Sequence, residues 1–306
     1  MDWITGIQHA INYIEDNLTG ELDYEVIAGK SFSSSSHFQR IFSILCGYTL
    51  GEYIRNHRLT LAGAELASSE VKVIDVALKY GYDSPDSFAK AFQKFHGILP
   101  SQARGNGNML KSFSRLSIKI SLEGGTIMNY RIETKPEITL LGYRRHFEGA
   151  PFGDARYGQE RDLFTTTRAH QWMLKGMTND KRSDYCVLTN MTDEGYDFYI
   201  AVTADRYEQE NLYNSSVTGI DFMDRFGFET ISIPAGTYAI FETEKQKMPT
   251  PEYFDLRKRI VSEWLVSSEY ELTDAPEIAV YHWGIVGGYT ERTIEIWMPI
   301  TKKFNQ

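Results

Sequence analysis

The 306 residues, 42 % hydrophobic and 24 % charged with a formal charge of -9, exceed one typical domain and suit two or three, each with its own core. The acidic balance argues against a general nucleic-acid coat. No apolar run reaches about 18 residues, and the Met1-Asp2-Trp3-Ile4 start lacks a signal peptide's basic, apolar opening, so a soluble cytoplasmic protein that crosses no membrane is expected. Residues 1–115 hold 11 Lys/Arg against 12 Asp/Glu, leaving 21 against 29 beyond, so the acid excess is C-terminal and the first part can present a local basic face.

In chain order, Ile4, Ile7, Ile11 and Ile14 recur at helical spacing and predict an opening helix. A short helix over Glu25–Ser31 follows, then Ser33–Ser36 offer hydroxyl caps to a helix running to Leu45, with Phe38, Ile41, Phe42 and Leu45 on one face and Gln39 and Arg40 elsewhere. A longer helix spans about Leu50–Ala67. A second short helix covers Val73–Tyr80, turns at Gly81-Tyr82-Asp83-Ser84, and continues from Pro85 to Phe95, ending at His96-Gly97.

These segments contain a duplication: Val26–Gly47 overlays Asp75–Gly97. Ala28 and Ala77 are 49 positions apart, while Phe38 and Phe88, Phe42 and Phe92, and Gly47 and Gly97 are each 50 apart, so one residue is gained near Gly81. Each copy reads as helix, turn, helix, the layout that sends its second helix into a DNA major groove. Arg bridges guanine O6 and N7, Gln bridges adenine N6 and N7, and Ser donates to phosphates or bases, so Gln39, Arg40, Ser35, Ser36, Ser87 and Lys90 are the candidate reading residues.

Gly105-Asn106-Gly107-Asn108 reads as a linker, and the alternation over Phe113–Leu122 predicts a half-buried strand. Beyond Met128 a weaker duplication predicts strand Ile132–His146, helix Arg161–Met177 and strands Tyr185–Thr189 and Asp197–Thr203, then strand Glu229–Glu244, helix Tyr253–Ser267 and strands Ile278–Trp283 and Thr293–Ile300. Two β-α-β-β modules are expected to join around a groove. The expected class is therefore multidomain: an all-α double helix-turn-helix domain over 1–104, a linker over 105–127 with a strand-like segment, and an α+β domain of two β-α-β-β modules over 128–306.

Residues Ala28, Ser31, Phe38, Arg40, Phe42, Gly47 and Tyr53-Ile54-Arg55-Asn56-His57-Arg58, then Val76-Ala77, Gly81-Tyr82, Ser87-Phe88, Phe92, Gly97 and Pro100-Ser101, resemble the AraC/XylS family of bacterial transcription regulators. The resemblance implies seven helices, two reading units joined by a rigid helix, and base-reading by Ser35, Ser36, Gln39 and Arg40 in the first unit and Asp86, Ser87, Ala89 and Lys90 in the second. Some relatives hold a large aromatic where Ser36 stands. The implied partners are double-stranded promoter DNA, a small-molecule effector and RNA polymerase.

In Thr293–Ile300, strand alternation sets Glu295 and Trp297 on one face and Ile294, Ile296 and Met298 on the other. With Tyr143, Phe147, Trp172, Tyr199, Tyr281 and Trp283 they are the candidates for an aromatic-walled cavity holding one acid, suited to a lipophilic cation. Residues 128–306 also resemble the gyrase-inhibitor-like effector-binding domain, through Met128–Glu133, Leu141–Arg144, Ile233–Ala239 and Glu295–Ile300; that likeness implies ligand between the modules and Glu295 as the acidic contact. No cofactor and no metal is expected, because the seven histidines are scattered and Cys46 and Cys186 lack ligand spacing. Two alternatives stand beside a ligand-responsive regulator: a hydrolase using Glu295 as base with a pKa raised by burial, and a module that sequesters a drug or a protein.

Overall fold

The computed structural model describes residues 3–31, 34–104, 108–116, 127–151, 153–206, 222–286 and 289–303. The chain divides into two compact units, residues 1–42 with 48–122 and residues 43–47 with 123–306. Among the described residues no helix is long and apolar enough to cross a membrane.

The first unit is helical: α1 (Trp3–Asp16), α2 (Tyr24–Gly29), α3 (Ser35–Cys46), α4 (Leu50–Ser68), α5 (Val73–Lys79) and α6 (Pro85–His96), then a 3-10 turn at Pro100–Gln102 in place of a seventh α-helix. Local chemistry marks the ends. Asp23 accepts from the Glu25 amide to start α2, Thr49 and Glu52 form a reciprocal capping box on α4, and Ser84 accepts from the Ser87 amide to start α6. Gly97 closes α6 at φ +84°, a left-handed conformation that glycine adopts without a Cβ clash.

The duplicated apolar positions form matching cores. In the first lobe Phe38 and Phe42 lie 5.8 Å apart between ring centroids, and Tyr53 of α4 meets Phe42 edge-on at 5.6 Å. In the second, Phe88 and Phe92 pack with Val76, Ala77, Leu59, Ala62 and Leu66. One helix, α4, thus supplies side chains to both lobes, which makes it a stiff spacer rather than a hinge. His57 of that helix is buried, its Nδ1 3.4 Å from the Glu15 carboxylate.

Phe113–Leu116 do not form the expected strand. They run without ladder partners along the helical unit: Lys111 N–H donates to His96 Nδ1 (3.1 Å), Phe113 N–H to Thr60 Oγ1 (2.9 Å) and Leu116 N–H to Tyr53 Oη (3.3 Å). The Phe113 ring meets Tyr48, Tyr53 and His57 edge-on. Alternation marks any extended chain that lies on a surface, because successive side chains point to opposite sides whether the backbone bonds go to a strand or to helix side chains. Residues 117–122 of that expected strand lie outside the described residues, as does Ser33 among the expected caps.

The second unit is built on an antiparallel sheet: β1 (Tyr130–Lys135), β2 (Ile138–Glu148), β3 (Ser183–Thr189), β4 (Gly195–Thr203), β5 (Glu229–Ile233), β6 (Gly236–Glu242), β7 (Tyr270–Leu272), β8 (Glu277–Val286) and β9 (Tyr289–Lys302). The order is β1-β6-β9-β8-β3-β4-β2-β5, and β7 pairs with β9. Two modules are present, with one correction: the opening strand of each is two strands. Pro136 separates β1 from β2 and Pro234 separates β5 from β6, since proline has no N–H to give the ladder. The break has a topological use. β2 pairs with β4 of its own module while β1 pairs with β6 of the other, and β5 in turn pairs with β2, so the two modules are laced together by their opening strands.

The helices are α7 (Gly153–Thr166), α8 (Arg168–Gly176), α9 (Phe222–Phe226) and α10 (Thr250–Arg259), the last continuing through a π turn at Ile260–Trp264 to Leu265–Ser267. The single helix expected over Arg161–Met177 is thus divided at Thr167, whose hydroxyl bonds the Leu163 carbonyl. Fully buried Arg156 and Arg257, from α7 and α10, pair with Glu160 and Glu277 and both donate to the Pro151 carbonyl. Removing one partner of such a pair leaves a buried charge uncompensated. Gly142 on β2 has no room for a side chain: a Cβ there would lie 2.5 Å from the Ile200 carbonyl oxygen on β4.

Candidate DNA-reading face and effector site

On α6, Asp86, Ser87 and Lys90 are exposed and Ala89 is half-buried beside the Phe88 and Phe92 core. On α3, Ser36 is exposed, Ser35 and Gln39 are half-buried, and the Gln39 amide donates to Ser35 Oγ at 3.1 Å. Arg40, expected to point outward, is only 8 % exposed. Helical spacing placed it off the Phe38–Phe42 stripe, but a residue beside that stripe can still be covered by its long neighbours, which periodicity does not report.

In the second unit, alternation and pairing divide the candidate ligand residues between two faces. Trp297 pairs with Ile278, and Glu295 with Val280; Tyr281 therefore projects to the opposite side. Likewise Tyr199 pairs with Arg144, which turns Tyr143 and Phe147 the other way. Glu295, Trp297 and Tyr199 share one face, whose core contains Val187, Ile240, Ile278 and Val280. Tyr143, Phe147, Tyr281 and Trp283 lie on the face that carries the helices. There the Tyr143 hydroxyl meets Thr167 Oγ1 at 2.7 Å, Phe147 stacks on Phe198, Tyr281 packs against Phe164 and Tyr253, and the Trp283 indole donates to Asp184. Trp172 on α8 is 79 % exposed and belongs to neither set. One cavity walled by all eight is not formed.

Around Glu295 the geometry is specific. Its side chain is 13 % exposed; Oε2 accepts from Trp297 Nε1 at 2.7 Å, Oε1 accepts from Arg131 Nη2 at 2.6 Å, and His282 Nε2 stands 3.8 Å from Oε1. Burial pushes the carboxyl pKa up, but His282, Trp297 and Arg131 together outweigh it and hold the group down at about 2. The same carboxylate raises the pKa of the His282 imidazole. A carboxylate held so low is a poor general base near neutrality, which removes the raised pKa that the hydrolytic alternative requires. Tyr185 meets the Trp297 ring edge-on at 6.1 Å and Tyr238 lies 5.8 Å from it. A recess of about 380 Å³ opens beside Arg131, lined with Asn129, Ile240, Glu242 and Glu244.

Sequence reading missed Arg131, Lys135, Tyr185, Tyr238 and His282. Alternation in Tyr130–Lys135 does set Arg131, Glu133 and Lys135 on one side, but nothing local says that this side meets Glu295 across an intervening strand.

Two matched reading units on a shared spacer helix, fused to a two-module sheet, define a DNA-binding transcription regulator with an accessory α+β domain. Comparison with known proteins gives the family. Residues 27–106 match the helix-turn-helix domain and residues 131–300 match the integron-associated effector binding protein family. The chain belongs to the AraC-type regulators and carries an effector-binding domain of that second family. It is 45 % identical over 98 residues to the HTH-type transcriptional activator AarP of Providencia stuartii, covering 32 % of this chain and 73 % of AarP. It is 37 % identical over 98 residues to the regulatory protein SoxS of Escherichia coli K12, covering 32 % of this chain and 92 % of SoxS. Among solved structures, the integron cassette protein VCH_CASS2 of Vibrio cholerae aligns at 14 % identity and TM-score 0.37, over 56 % of this chain and 95 % of that one. SAV2435 bound to tetraphenylphosphonium aligns at 18 % identity and TM-score 0.42, over 57 % of this chain and 94 % of that one.

Proposed function

We propose that this chain is a one-component regulator in which residues 1–104 read promoter DNA, residues 105–127 connect, and residues 128–306 bind a small lipophilic cation that alters the activity of the bound protein. The reading residues are Ser35, Ser36, Gln39 and Arg40 on α3 and Asp86, Ser87, Ala89 and Lys90 on α6, set into successive grooves about 34 Å apart along one duplex. Arg40 has to leave its covered position to reach a base. The relative AarP, named as a transcriptional activator, supports activation, with RNA polymerase as the partner in the cytoplasm.

The observation that carries the effector reading is an ionised, mostly buried Glu295 hydrogen-bonded to the indole of Trp297 and neighboured by Tyr185 and Tyr238. A fixed negative charge beside π faces attracts an organic cation twice over, by charge pairing and by cation–π contact. The ligand regulates only if it binds the active and inactive arrangements unequally.

Calorimetric titration of tetraphenylphosphonium into the full chain tests this. Glu295→Gln keeps an acceptor for Trp297 but removes the charge, and affinity is expected to fall about tenfold, ~1.4 kcal/mol, with ligand-free operator binding unchanged. An unchanged titration takes Glu295 out of the site.

A further inference from the structure

The acid and the indole that would receive an external cation are already engaged by cations of the chain itself. β1 lies two strands from β9, with β6 between them, yet Arg131 spans that gap to place Nη2 2.6 Å from Glu295 Oε1. Lys135, four residues on and on the same side of β1, holds its ammonium 4.7 Å from the centroid of the Trp297 ring. Those are one charge pair and one cation–π contact, the two attractions a cationic ligand would use. Glu133, between them in sequence, bonds both Arg131 and Lys135 and keeps them turned to this face.

We infer that Arg131 and Lys135 are specificity-determining residues of this site, internal occupants that exclude small hydrophilic cations and yield only to a cation with enough apolar bulk to displace them. The inference rests on the effector reading above. Tethered groups compete at an effective concentration in the millimolar range or higher, so a bare ammonium that offers only the same charge gains nothing by exchange. An aromatic phosphonium adds apolar area against Trp297, Tyr185 and Ile240, a contribution of roughly 25 cal/mol per Å² that Arg131 and Lys135 do not make. Displacement is cheap on the other side. The Arg131 and Lys135 side chains are 42 % and 23 % exposed, so their heads return to water, and the recess beside Arg131, with Glu242 and Glu244 on its wall, lies where the guanidinium can swing. Among the described residues β1 is an edge strand paired only with β6, so these side chains can move without disturbing a second ladder there.

The test titrates tetraphenylphosphonium and tetramethylammonium into the full-length wild type, Arg131→Met/Lys135→Met, the milder Arg131→Gln, and Glu295→Gln, with thermal melts as a folding check. Methionine keeps apolar length and removes the charge. The double variant is expected to bind tetraphenylphosphonium about tenfold tighter and to acquire measurable tetramethylammonium binding, with Arg131→Gln moving the same way to a smaller extent. Equal or weaker phosphonium binding by folded double and single variants, while the wild type binds and Glu295→Gln binds about tenfold more weakly, overturns the inference and leaves the effector reading standing. No phosphonium binding by any form, or binding that ignores Glu295→Gln, overturns the effector reading and this inference together.

Discussion

The two reading lobes are copies inside and different proteins outside. Phe38 and Phe88, Phe42 and Phe92, and Ala28 and Ala77 are buried at matching positions, and Gly47 and Gly97 both take positive φ. Away from those shared positions Gln39 and Arg40 correspond to Ala89 and Lys90, Cys46 to His96, and buried Ile44 to exposed Lys94. Arg40 is covered where Lys90 is exposed. Shared cores preserve the lobe because packing at interior density tolerates little change in volume, whereas solvent-facing positions are free to diverge with the sequence each helix reads. A duplicated scaffold therefore does not imply a repeated operator half-site.

The largest test of that equivalence removes a core ring from either lobe. Phe42→Ala and Phe92→Ala are each expected to cost about 3–5 kcal/mol in denaturant unfolding, and a loss confined to one of them breaks the symmetry of the two cores. A smaller effect separates the outer surfaces. Lys90→Ala should weaken operator binding in a mobility shift and reduce the salt dependence by about one counterion without lowering the melting temperature, while Arg40→Ala should lower both binding and melting temperature because its side chain is covered. Equal melts for the two variants would contradict the difference in burial.

The smallest effect is confined to the second lobe, where His96 stands in the place of Cys46. His96 Nε2 donates to the Leu59 carbonyl at 2.9 Å and Nδ1 accepts from the Lys111 amide, an arrangement that needs the neutral ring; burial lowers its pKa below the ordinary 6.5. A lowered histidine pKa contributes stability that is complete above pH 6.5 and is lost as pH falls through that value toward the folded pKa. Protonation would set N–H against the Lys111 N–H. Amide-exchange protection at Lys111, corrected for intrinsic rate, should therefore drop on acidification from pH 7.5 to 5 while Phe113, bonded to a hydroxyl, holds. Flat protection at Lys111 would rule out the neutral ring as its acceptor.

In the helical unit, faces and some ends were legible from local signals: the Gly81–Ser84 turn, the Gly97 stop and the fifty-residue repeat of phenylalanines, whereas the Asp23 and Thr49 caps were seen only in the structure. Capping and the 3.6-residue period act within a few neighbouring residues, so they are written where they act. The same holds for Glu295 and Trp297, two apart on one strand and on one face. What tertiary structure alone decided is everything that depends on which strands become neighbours. The pairing of β1 with β6 and of β6 with β9 brings Arg131 and Lys135 onto an acid and an indole about 160 residues away, and the register of β8 on β9 sends Tyr281 and Trp283 to the helical face. Alternation states that a strand has two faces; only long-range pairing determines which face is which, and the contacts made there couple residues that no local period relates.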